Sequence, residues 1–326
     1  YYEGWSLALS EDGNTVAWGR ARHPNYANNS DFFAGIIVKT WNGSSWVNKG
    51  GNIRFENNTY LFDSGRYHWP GWSLSNYNSY TDGVTTGGYD LTHQNACKGL
   101  GLSSDGNILI IGYPHSKNAS SLRNGLVLIL EYDTTFTSYH EYPLTANWLA
   151  DSPYHNHGQL NWKRRGFEIC GEDEGFGSNV QINSDGTIIA VSSCAYKQNG
   201  TSGNQIVRIM ELIECTNENY NTYRHAQAQT QNNDGKLLAF TLQSGTGMYG
   251  NTFLGWQVGR HYWVQKSYDI KGSGLREFGS GLSMSDDGRI ITFSAKESAT
   301  DGKVYVYTYE YRLYTQEDKD NNTYHY

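Results

Sequence analysis

The sequence predicts an all-β protein made of repeated four-stranded antiparallel sheets, and three observations support this prediction. Of the 326 residues, 37 are Gly and only 5 are Pro, and aromatic residues make up 14%, a composition typical of many short strands and tight turns. A hairpin pattern centred on Asp-Gly recurs along the chain. No segment shows the 3.6-residue apolar period of a helix, and no apolar run approaches the roughly 18 residues of a transmembrane helix.

The recurring hairpin consists of an alternating apolar strand, an Asp-Gly turn and a continuous apolar strand. In the third copy, Val180 and Ile182 alternate with polar residues, and the segment 188–191 after the turn is entirely apolar. Asp-Gly favours a tight turn because Gly tolerates a positive φ angle and Asp nearly so. One hairpin is only marginally stable alone, so repetition would provide its burial. The five copies span residues 4–19, 99–112, 176–191, 225–240 and 278–293.

A third and a fourth strand complete each unit. After a loop rich in Asn, Ser and Gly, the third apolar segment begins at Ala34, Asn124, Asn204, Asn251 and Gly302. The fourth segment carries a Trp in three copies, at Trp46, Trp162 and Trp263, the last of which we assign to the fourth copy. Four antiparallel strands repeated around an axis indicate a β-propeller. In this topology the Asp-Gly turns lie on the face opposite to the connections between blades.

These motifs resemble the FG-GAP-like repeat family, whose propeller is also found at the head of integrin α chains. The resemblance rests on Phe-Gly-Ser at 176–178 and 278–280, on the Ser-x-Asp-Gly turns, on GKVYVY at 302–307 and on the Trp-x-x-x-Gly segments. It covers most of the chain and implies an extracellular propeller. Integrin-type repeats often bind Ca²⁺ in an Asp-x-Asp-x-Asp-Gly loop, but these loops lack the spaced carboxylates that would supply six or more oxygen ligands. We therefore predict structural turns without calcium.

The repeats predict a single domain over residues 1–326. Its blades span about 4–56, 97–171, 175–224, 225–273 and 277–326, and two long insertions span about 57–96 and 134–159. The second insertion lies between the third and fourth strands of its unit, so it cannot be a blade. The first lies between two units, so six blades are the alternative to five, although this segment lacks paired apolar runs.

Several motifs resemble chemical sites, but loops explain them better. GTGMYG at 245–250 matches a dinucleotide-binding pattern, yet a strand-like segment follows it where that pattern needs a helix. His155 and His157 could face one metal ion, but no third ligand can be placed beside them. The acidic runs at 172–174 and 318–322 are expected to be solvated. We predict no catalytic residue, no metal site and no cofactor.

The charge of the chain argues against nucleic acid as a partner. The formal net charge is −7, and the one basic cluster is Lys-Arg-Arg at 163–165. Nucleic-acid-binding proteins instead carry a basic patch or stripe that neutralises phosphates. We therefore predict no nucleic-acid partner.

The cysteines and the glycosylation sequons bear on the compartment. The cysteines have no C-x-x-C spacing, so zinc or redox use is not expected, whereas an even number in a secreted protein suggests two disulfides. The four are Cys97, Cys170, Cys194 and Cys215, with Cys97 to Cys170 and Cys194 to Cys215 as one of three pairings and free buried thiols as the alternative. Sequons begin at Asn28, Asn42, Asn57, Asn118, Asn199 and Asn321. Asn28, Asn118 and Asn199 share one register, between the second and third strands, which favours glycosylation there.

Taken together, these patterns favour a secreted or cell-surface structural or adhesive glycoprotein that is not an enzyme and that self-associates, a filament subunit being one such form. The absence of an initiator Met fits a processed chain or a trimmed fragment. Tyr-rich, β-prone terminal segments either close their own blade or add to a neighbouring subunit. The alternative is a monomeric carbohydrate- or protein-binding propeller, or a sugar-active propeller enzyme, because 10 Trp and 26 Tyr residues offer rings on which sugars stack.

Overall fold

A computed structural model describes residues 2–21, 34–51, 53–55, 99–114, 126–136, 161–166, 169–170, 175–193, 205–214, 216–218, 259, 261–267, 269–272, 278–296 and 301–309. Within these residues the chain forms 18 β-strands and no helix, which confirms the all-β prediction. None of this part of the chain therefore offers a helix with the length and apolarity needed to cross a membrane. The strands form four antiparallel sheets, which we number I to IV in chain order.

Sheets I and II have the same five-strand plan. Sheet I contains β1 (Tyr2–Leu9), β2 (Thr15–Ala21), β3 (Ala34–Trp41), β4 (Trp46–Asn48) and β5 (Ile53–Phe55). Sheet II contains β6 (Gly99–Leu102), β7 (Ile108–Tyr113), β8 (Leu126–Tyr132), β9 (Trp162–Arg164) and β10 (Ile169–Cys170). In each sheet the last two strands both pair with the third, so they form one interrupted fourth strand.

Sheet III repeats this plan, and three strands of sheet IV are described. Sheet III contains β11 (Phe176–Ile182), β12 (Ile188–Ser193), β13 (Ile206–Glu214), β14 (His261–Gln265) and β15 (Ile270–Lys271). Sheet IV contains β16 (Leu282–Met284), β17 (Ile290–Lys296) and β18 (Gly302–Thr308). Four of the five predicted hairpins therefore form, and the hairpin predicted at 225–240 lies outside the described residues.

The Asp-Gly turns explain why these hairpins recur. In sheet I the loop 10–14 joins β1 to β2, and Gly13 has a φ angle of 71° that favours glycine. The Ser10 hydroxyl donates to the Asp12 carboxylate at 2.6 Å and accepts the Thr15 backbone N–H at 2.8 Å. The side chain of Ser10 thus connects both ends of the loop. Ser103 and Ser285 make the same pair of bonds in sheets II and IV.

The strand that contains Trp263 corrects one assignment made from the sequence. That strand, β14, pairs with β13 in sheet III, with Glu211 opposite Val264 and Leu212 opposite Trp263. It is therefore the fourth strand of the third unit and not of the fourth. The Trp-containing segment was correctly predicted to be a fourth strand, but its sequence does not specify which sheet the strand joins.

The blade predicted at 225–273 lies mostly outside the described residues. Sheet III packs directly on sheet IV, where Ile188, Ala190, Val207 and Ile209 of one meet Phe278, Leu282, Ile291 and Phe293 of the other. Residues 261–265 and 270–271 form β14 and β15 of sheet III, whereas residues 225–258 are not described. The remaining blade bounds therefore stay a prediction. The insertion at 57–96 and all of the other insertion after Phe136 lie outside the described residues.

The sheets pack face to face in the order I, II, III, IV, with one apolar core at each interface. The core between sheets I and II contains Ala17, Ile36, Val38 and Ile53 from sheet I and Leu100, Leu109, Ile111, Leu130 and Trp162 from sheet II. The core between sheets II and III is built in the same way, with Trp263 at the position of Trp162. We call the face that carries this Trp position the Trp face of a sheet and the opposite face its back face. At each interface, the back face of one sheet packs on the Trp face of the next.

Candidate association surfaces

The turns that join the first and second strands connect neighbouring sheets by one backbone hydrogen bond each. Glu11 N–H donates to the Ser104 carbonyl at 3.0 Å, Ser104 N–H to Ser184 at 3.1 Å, and Ser184 N–H to Asp286 at 2.9 Å. These residues occupy the same position in their loops. All three bonds run in the same direction, from sheet I towards sheet IV, so the array of sheets has a polarity.

The Trp residues of the fourth strands make a second connection. Trp162 donates its indole Nε1–H to the Lys49 carbonyl of sheet I at 2.9 Å, and Trp263 donates to the Arg165 carbonyl of sheet II at 2.8 Å. Both acceptors lie where the fourth strand of the preceding sheet is interrupted. Each buried ring therefore has its polar atom satisfied, as a buried indole requires.

A basic side chain at the same interruption of the fourth strand makes a third connection between neighbouring sheets. Lys49 Nζ donates to the Gly106 carbonyl in the Asp-Gly turn of sheet II at 2.9 Å, and Arg165 Nε donates to the Gly186 carbonyl in the turn of sheet III at 3.2 Å. The Lys49 amine also lies 5.2 Å from the ring centre of Tyr132. Burial lowers the pKa of Lys49, and the charges of Asp105 and Asp12 oppose this effect.

The interface between sheets III and IV uses different contacts. Lys266, at the position of Lys49, donates to Glu211 of its own sheet at 2.8 Å and lies 4.7 Å from the ring centre of Tyr309. Asn179 Nδ2 donates to the Gly279 carbonyl at 2.8 Å. Aromatic rings fill the adjoining core, with Phe278 and Phe293 4.7 Å apart in an edge-to-face arrangement. The order of the sheets is thus constant while individual contacts vary.

The Trp face of sheet I is apolar and exposed. Leu7 is 65% exposed, Leu9 60% and Trp46 41%, and Trp41 packs beside Trp46 with ring centres 5.8 Å apart. The cross-strand register places Val16, Trp18 and Ile37 on the same face, where each is half-buried. In sheet II the equivalent positions are buried or half-buried residues that pack on sheet I. Sheet I therefore presents a surface of the type that is covered in the other sheets.

The back face of sheet IV is the second exposed apolar surface. Val304 is 74% exposed, Val306 64% and Ile290 44%. The Tyr309 N–H donates to the Arg289 carbonyl in sheet IV, and the Tyr132 N–H donates to the Asn107 carbonyl in sheet II. These matching hydrogen bonds show which residues of the two sheets occupy equivalent positions. By this register Val304, Val306 and Ile290 correspond to Val127, Ile129 and Ile108, all of which are buried. The array of four sheets therefore ends in an uncovered apolar face on each side.

The Asp carboxylates of the turns are engaged by donors in their own loops. The pKa of Asp12 is lowered to about 2, first by the Ser10 hydroxyl and then by the backbone N–H of Asn14. For Asp105, burial alone would raise the pKa, but hydrogen bonds from Ser103 and Asn107 outweigh it and the pKa is lowered. These bonds give the carboxylates a structural role. The absence of calcium from the turns stays a prediction, which a chelator-insensitive melting temperature would support.

Of the six sequons, the described residues include Asn42 alone. Asn42 is exposed in the turn between β3 and β4, and its side-chain oxygen accepts the backbone N–H groups of Ser44 and Ser45 at 3.0 and 2.9 Å. The amide nitrogen, to which a glycan would attach, makes no hydrogen bond within the described part of the chain. Asn28, Asn57, Asn118, Asn199 and Asn321 lie outside that part. Glycosylation at all six stays a prediction.

The remaining sequence predictions about chemistry are only partly addressed. Cys170 lies in β10 opposite Leu126, while Cys97, Cys194 and Cys215 lie outside the described residues, so the disulfide pairings are untested. His155, His157, residues 172–174, 245–250 and 318–322 lie outside them as well. Among the residues that are described, no three His, Cys, Asp or Glu side chains come close enough together to hold a metal ion.

Sequence reasoning missed a buried ion pair on the Trp face of sheet III. Arg208 in β13 is 2% exposed, and its Nε and Nη2 atoms donate to the two carboxylate oxygens of Asp269 at 2.8 Å each. Gln265 donates to the same carboxylate at 2.9 Å, and the guanidinium carbon lies 5.4 Å from the ring centre of Phe176. The pair connects the third strand to the interruption between β14 and β15. A lone Arg in the apolar run 206–210 was the signal that could have revealed it.

Comparison with known proteins gives little further information. No protein-family model and no curated protein matches the chain. A solved structure to which the chain is similar is a prolyl endopeptidase, from work on two such enzymes, with 10% sequence identity and a TM-score of 0.23. The similarity covers 95% of this chain and 36% of that chain, so this chain spans about a third of that protein's length.

This similarity contradicts the prediction, made from the sequence, that the protein is not an enzyme, and the prediction is withdrawn. Because the TM-score is 0.23, the similarity carries no argument for peptidase activity in this chain or for closure of its sheets into a ring.

Proposed function

We propose that this chain is an extracellular or cell-surface structural or adhesive glycoprotein that self-associates, and that its sheets are blades built from FG-GAP-like repeats. The observation that carries this proposal is the pair of uncovered apolar faces at the two ends of the four-sheet array. Single exposed apolar residues are normal on protein surfaces, whereas contiguous exposed apolar patches mark interaction sites. On the Trp face of sheet I, the exposed Leu7, Leu9, Trp41 and Trp46 adjoin a half-buried apolar row.

The repeat structure adds a second argument. The exposed positions are buried or half-buried in the sheets that have a neighbour on that face, as the pairs Leu7 and Leu100 or Val304 and Val127 illustrate. Burial stabilises by about 25 cal/mol for each Å² of apolar surface, so packing another surface against either face would be energetically favourable. In this proposal, association provides that surface.

Support for an extracellular location comes from the sequons and from the exposed position of Asn42. A glycan on Asn42 would project from the turn between β3 and β4. Intact-glycopeptide mass spectrometry of natively purified material is the test, and we expect glycans at Asn28, Asn118 and Asn199 in particular. Unmodified peptides at all three positions would contradict both the glycosylation and the extracellular assignment.

A second candidate function, a lectin-like binding module, is favoured by the Trp41 and Trp46 pair. Two exposed indole rings with centres 5.8 Å apart and planes inclined at 58° offer faces on which a sugar ring can stack. Oligosaccharide titration followed by tryptophan fluorescence would distinguish the candidates. A saturable change that Trp41→Ala abolishes, in a protein that stays monomeric, would favour the lectin.

Sedimentation velocity and negative-stain electron microscopy of the full chain test the self-association itself. We expect species larger than the monomer whose fraction grows with concentration. A single monomeric species up to the highest soluble concentration would contradict the proposed function.

A further inference from the structure

We infer that the back face of sheet IV in one copy of this chain packs on the Trp face of sheet I in a second copy, so that subunits join head to tail. This inference rests on the proposed self-association and identifies the two surfaces that carry it. The partner is thus another molecule of the same chain, and the contact repeats the one that already joins sheets I to II and II to III.

The equivalence of positions is the first argument. Every described interface pairs a back face with a Trp face, and the two faces left uncovered are one of each kind. On the back face of sheet IV, Val304 and Val306 hold the positions at which Val127 and Ile129 cover sheet III. On the Trp face of sheet I, Leu7 holds the position at which Leu100 meets sheet I. A second copy would therefore place like residues in contacts that the chain already makes.

The polar groups give an independent second argument. The turn-to-turn hydrogen bonds use the N–H of one sheet and the carbonyl of the next. Within the described residues, Asp286 N–H has no acceptor and the Glu11 carbonyl has no donor, and these are the two ends of the series. Joined in the polarity of the array, Asp286 of one copy donates to Glu11 of the next. The indole N–H of Trp46 is likewise without an acceptor in the described part, unlike those of Trp162 and Trp263.

The two faces to be joined are of different kinds, since one is a Trp face and the other is a back face. Because the two uncovered faces differ, their contact is heterologous, and repeating it produces an open polymer unless the rotation closes a ring.

Two variants that each block one face provide the test. Leu7→Lys with Leu9→Lys places two charges on the Trp face of sheet I, and Val304→Lys with Val306→Lys does so on the back face of sheet IV. All four side chains are at least 60% exposed, so we expect both variants to fold, with unchanged circular dichroism and melting temperature. Asn217→Lys with Glu218→Gln, in an exposed turn after β13, makes the same change of +2 in net charge and is the matched control.

The expected result is complementation between the blocked variants. Each alone should sediment as a monomer, with an association constant lowered about 100-fold or more because charges would be buried without partners. An equimolar mixture should form a 1:1 dimer through the two intact faces and nothing larger, while the control associates like the unmodified protein.

The outcomes separate this inference from the proposed function. If the unmodified protein associates and the blocked variants do so equally well, or if their mixture stays monomeric, the inference is wrong and self-association uses other surfaces. If one blocked variant dimerises alone, an isologous contact replaces the head-to-tail contact. If the unmodified protein is monomeric, the inference and the proposed function both fail.

Discussion

Trp46 and Trp162 occupy the same position in neighbouring sheets, yet their surroundings are opposite. Each begins the fourth strand of its sheet and lies beside an aromatic residue of the third strand, Trp41 or Tyr132. Trp162 is 0% exposed and donates its N–H to sheet I, whereas Trp46 is 41% exposed and has no neighbouring sheet among the described residues. The difference shows that repeat position determines which face a residue lies on, while the adjacent sheet determines whether that face is buried.

The largest expected effect comes from replacing these two residues in parallel. Trp162→Ala should lower the free energy of unfolding by about 3–5 kcal/mol, because it leaves a cavity between sheets I and II and removes the donor to the Lys49 carbonyl. Trp46→Ala should change it by less than about 1 kcal/mol in the monomer. Urea unfolding in the Val304→Lys, Val306→Lys background, which excludes association, is the measurement. Equal losses for the two variants would mean that Trp46 is covered as well.

A smaller difference is expected between two glycines of the Asp-Gly turns. Gly13 and Gly106 have φ angles of 71° and 65°, so Ala at either position should cost about 1–2 kcal/mol of backbone strain. A Cβ atom on Gly13 would meet nothing within 4 Å, whereas one on Gly106 would lie 2.4 Å from the Thr15 Cβ of sheet I. Gly106→Ala should therefore cost about 1–3 kcal/mol more, as overpacking does. Thermal unfolding of both variants checks this, and identical melting temperatures would contradict the close packing of the two sheets.

The response to acid should come next in size. Asp12, Asp105 and Asp287 have folded-state pKa values below their ordinary range. Their carboxylates therefore contribute stability above the unfolded pKa of about 3.9, and this contribution is lost as the pH falls through the folded values. The folded pKa of Asp12 is about 2, so the loss attributable to this residue should fall between about pH 4 and pH 2.

Measuring the free energy of unfolding against pH for Asp12→Asn and Asp105→Asn tests whether these turn carboxylates cause the loss of stability in acid. Each variant should show a shallower fall in stability over this window than the unmodified protein. Asp105→Asn should be the more destabilising of the two at neutral pH, because the charge of Asp105 interacts more strongly with the buried amine of Lys49 than the charge of Asp12 does. An unchanged acid transition in both variants would assign the effect to other carboxylates.

The smallest effect is expected from a lysine on the surface of sheet II. Lys163 Nζ lies 2.8 Å from Asp133 Oδ2, with the two side chains 32% and 26% exposed. The hydrogen bond from Lys163 is the main reason why the pKa of Asp133 lies well below its usual range. Lys163→Met should nevertheless change the free energy of unfolding very little, since water and salt screen a pair at the surface. Lys49→Met, which leaves the Gly106 carbonyl without its donor, should cost more, and the reverse order in urea unfolding would contradict the inter-sheet role of Lys49.

Local patterns in the sequence were sufficient to predict the hairpins. The Asp-Gly turns at residues 12, 105, 185 and 287 form where the sequence places them, because each loop contains its own Ser or Asn acceptor and its own Gly. The third strands also form where the sequence predicts them, since they begin at Ala34, Leu126, Ile206 and Gly302, within two residues of the predicted positions. The two exposed ends of the array could not be predicted, because equivalent positions have the same residue types whether or not a neighbouring sheet covers them.

Long-range pairing was not predictable from the same patterns. The Trp263 strand pairs with β13, about 50 residues earlier in the chain, through backbone hydrogen bonds that any strand can make. Nothing in its side chains distinguished sheet III from the fourth copy. The buried pair of Arg208 and Asp269 was missed for a related reason, since Asp269 lies between β14 and β15, which the sequence had assigned to another sheet than Arg208.

The polarity of the turn-to-turn hydrogen bonds has a consequence for how such a chain can lengthen over evolutionary time. Every unit presents a donor on one side and an acceptor on the other, in the order Glu11, Ser104, Ser184 and Asp286. An in-frame duplication of one unit would therefore supply a new sheet that already fits both of its neighbours. Gene length could change by whole units without new compensating mutations at the junctions, and the number of sheets would be a heritable variable that selection can adjust.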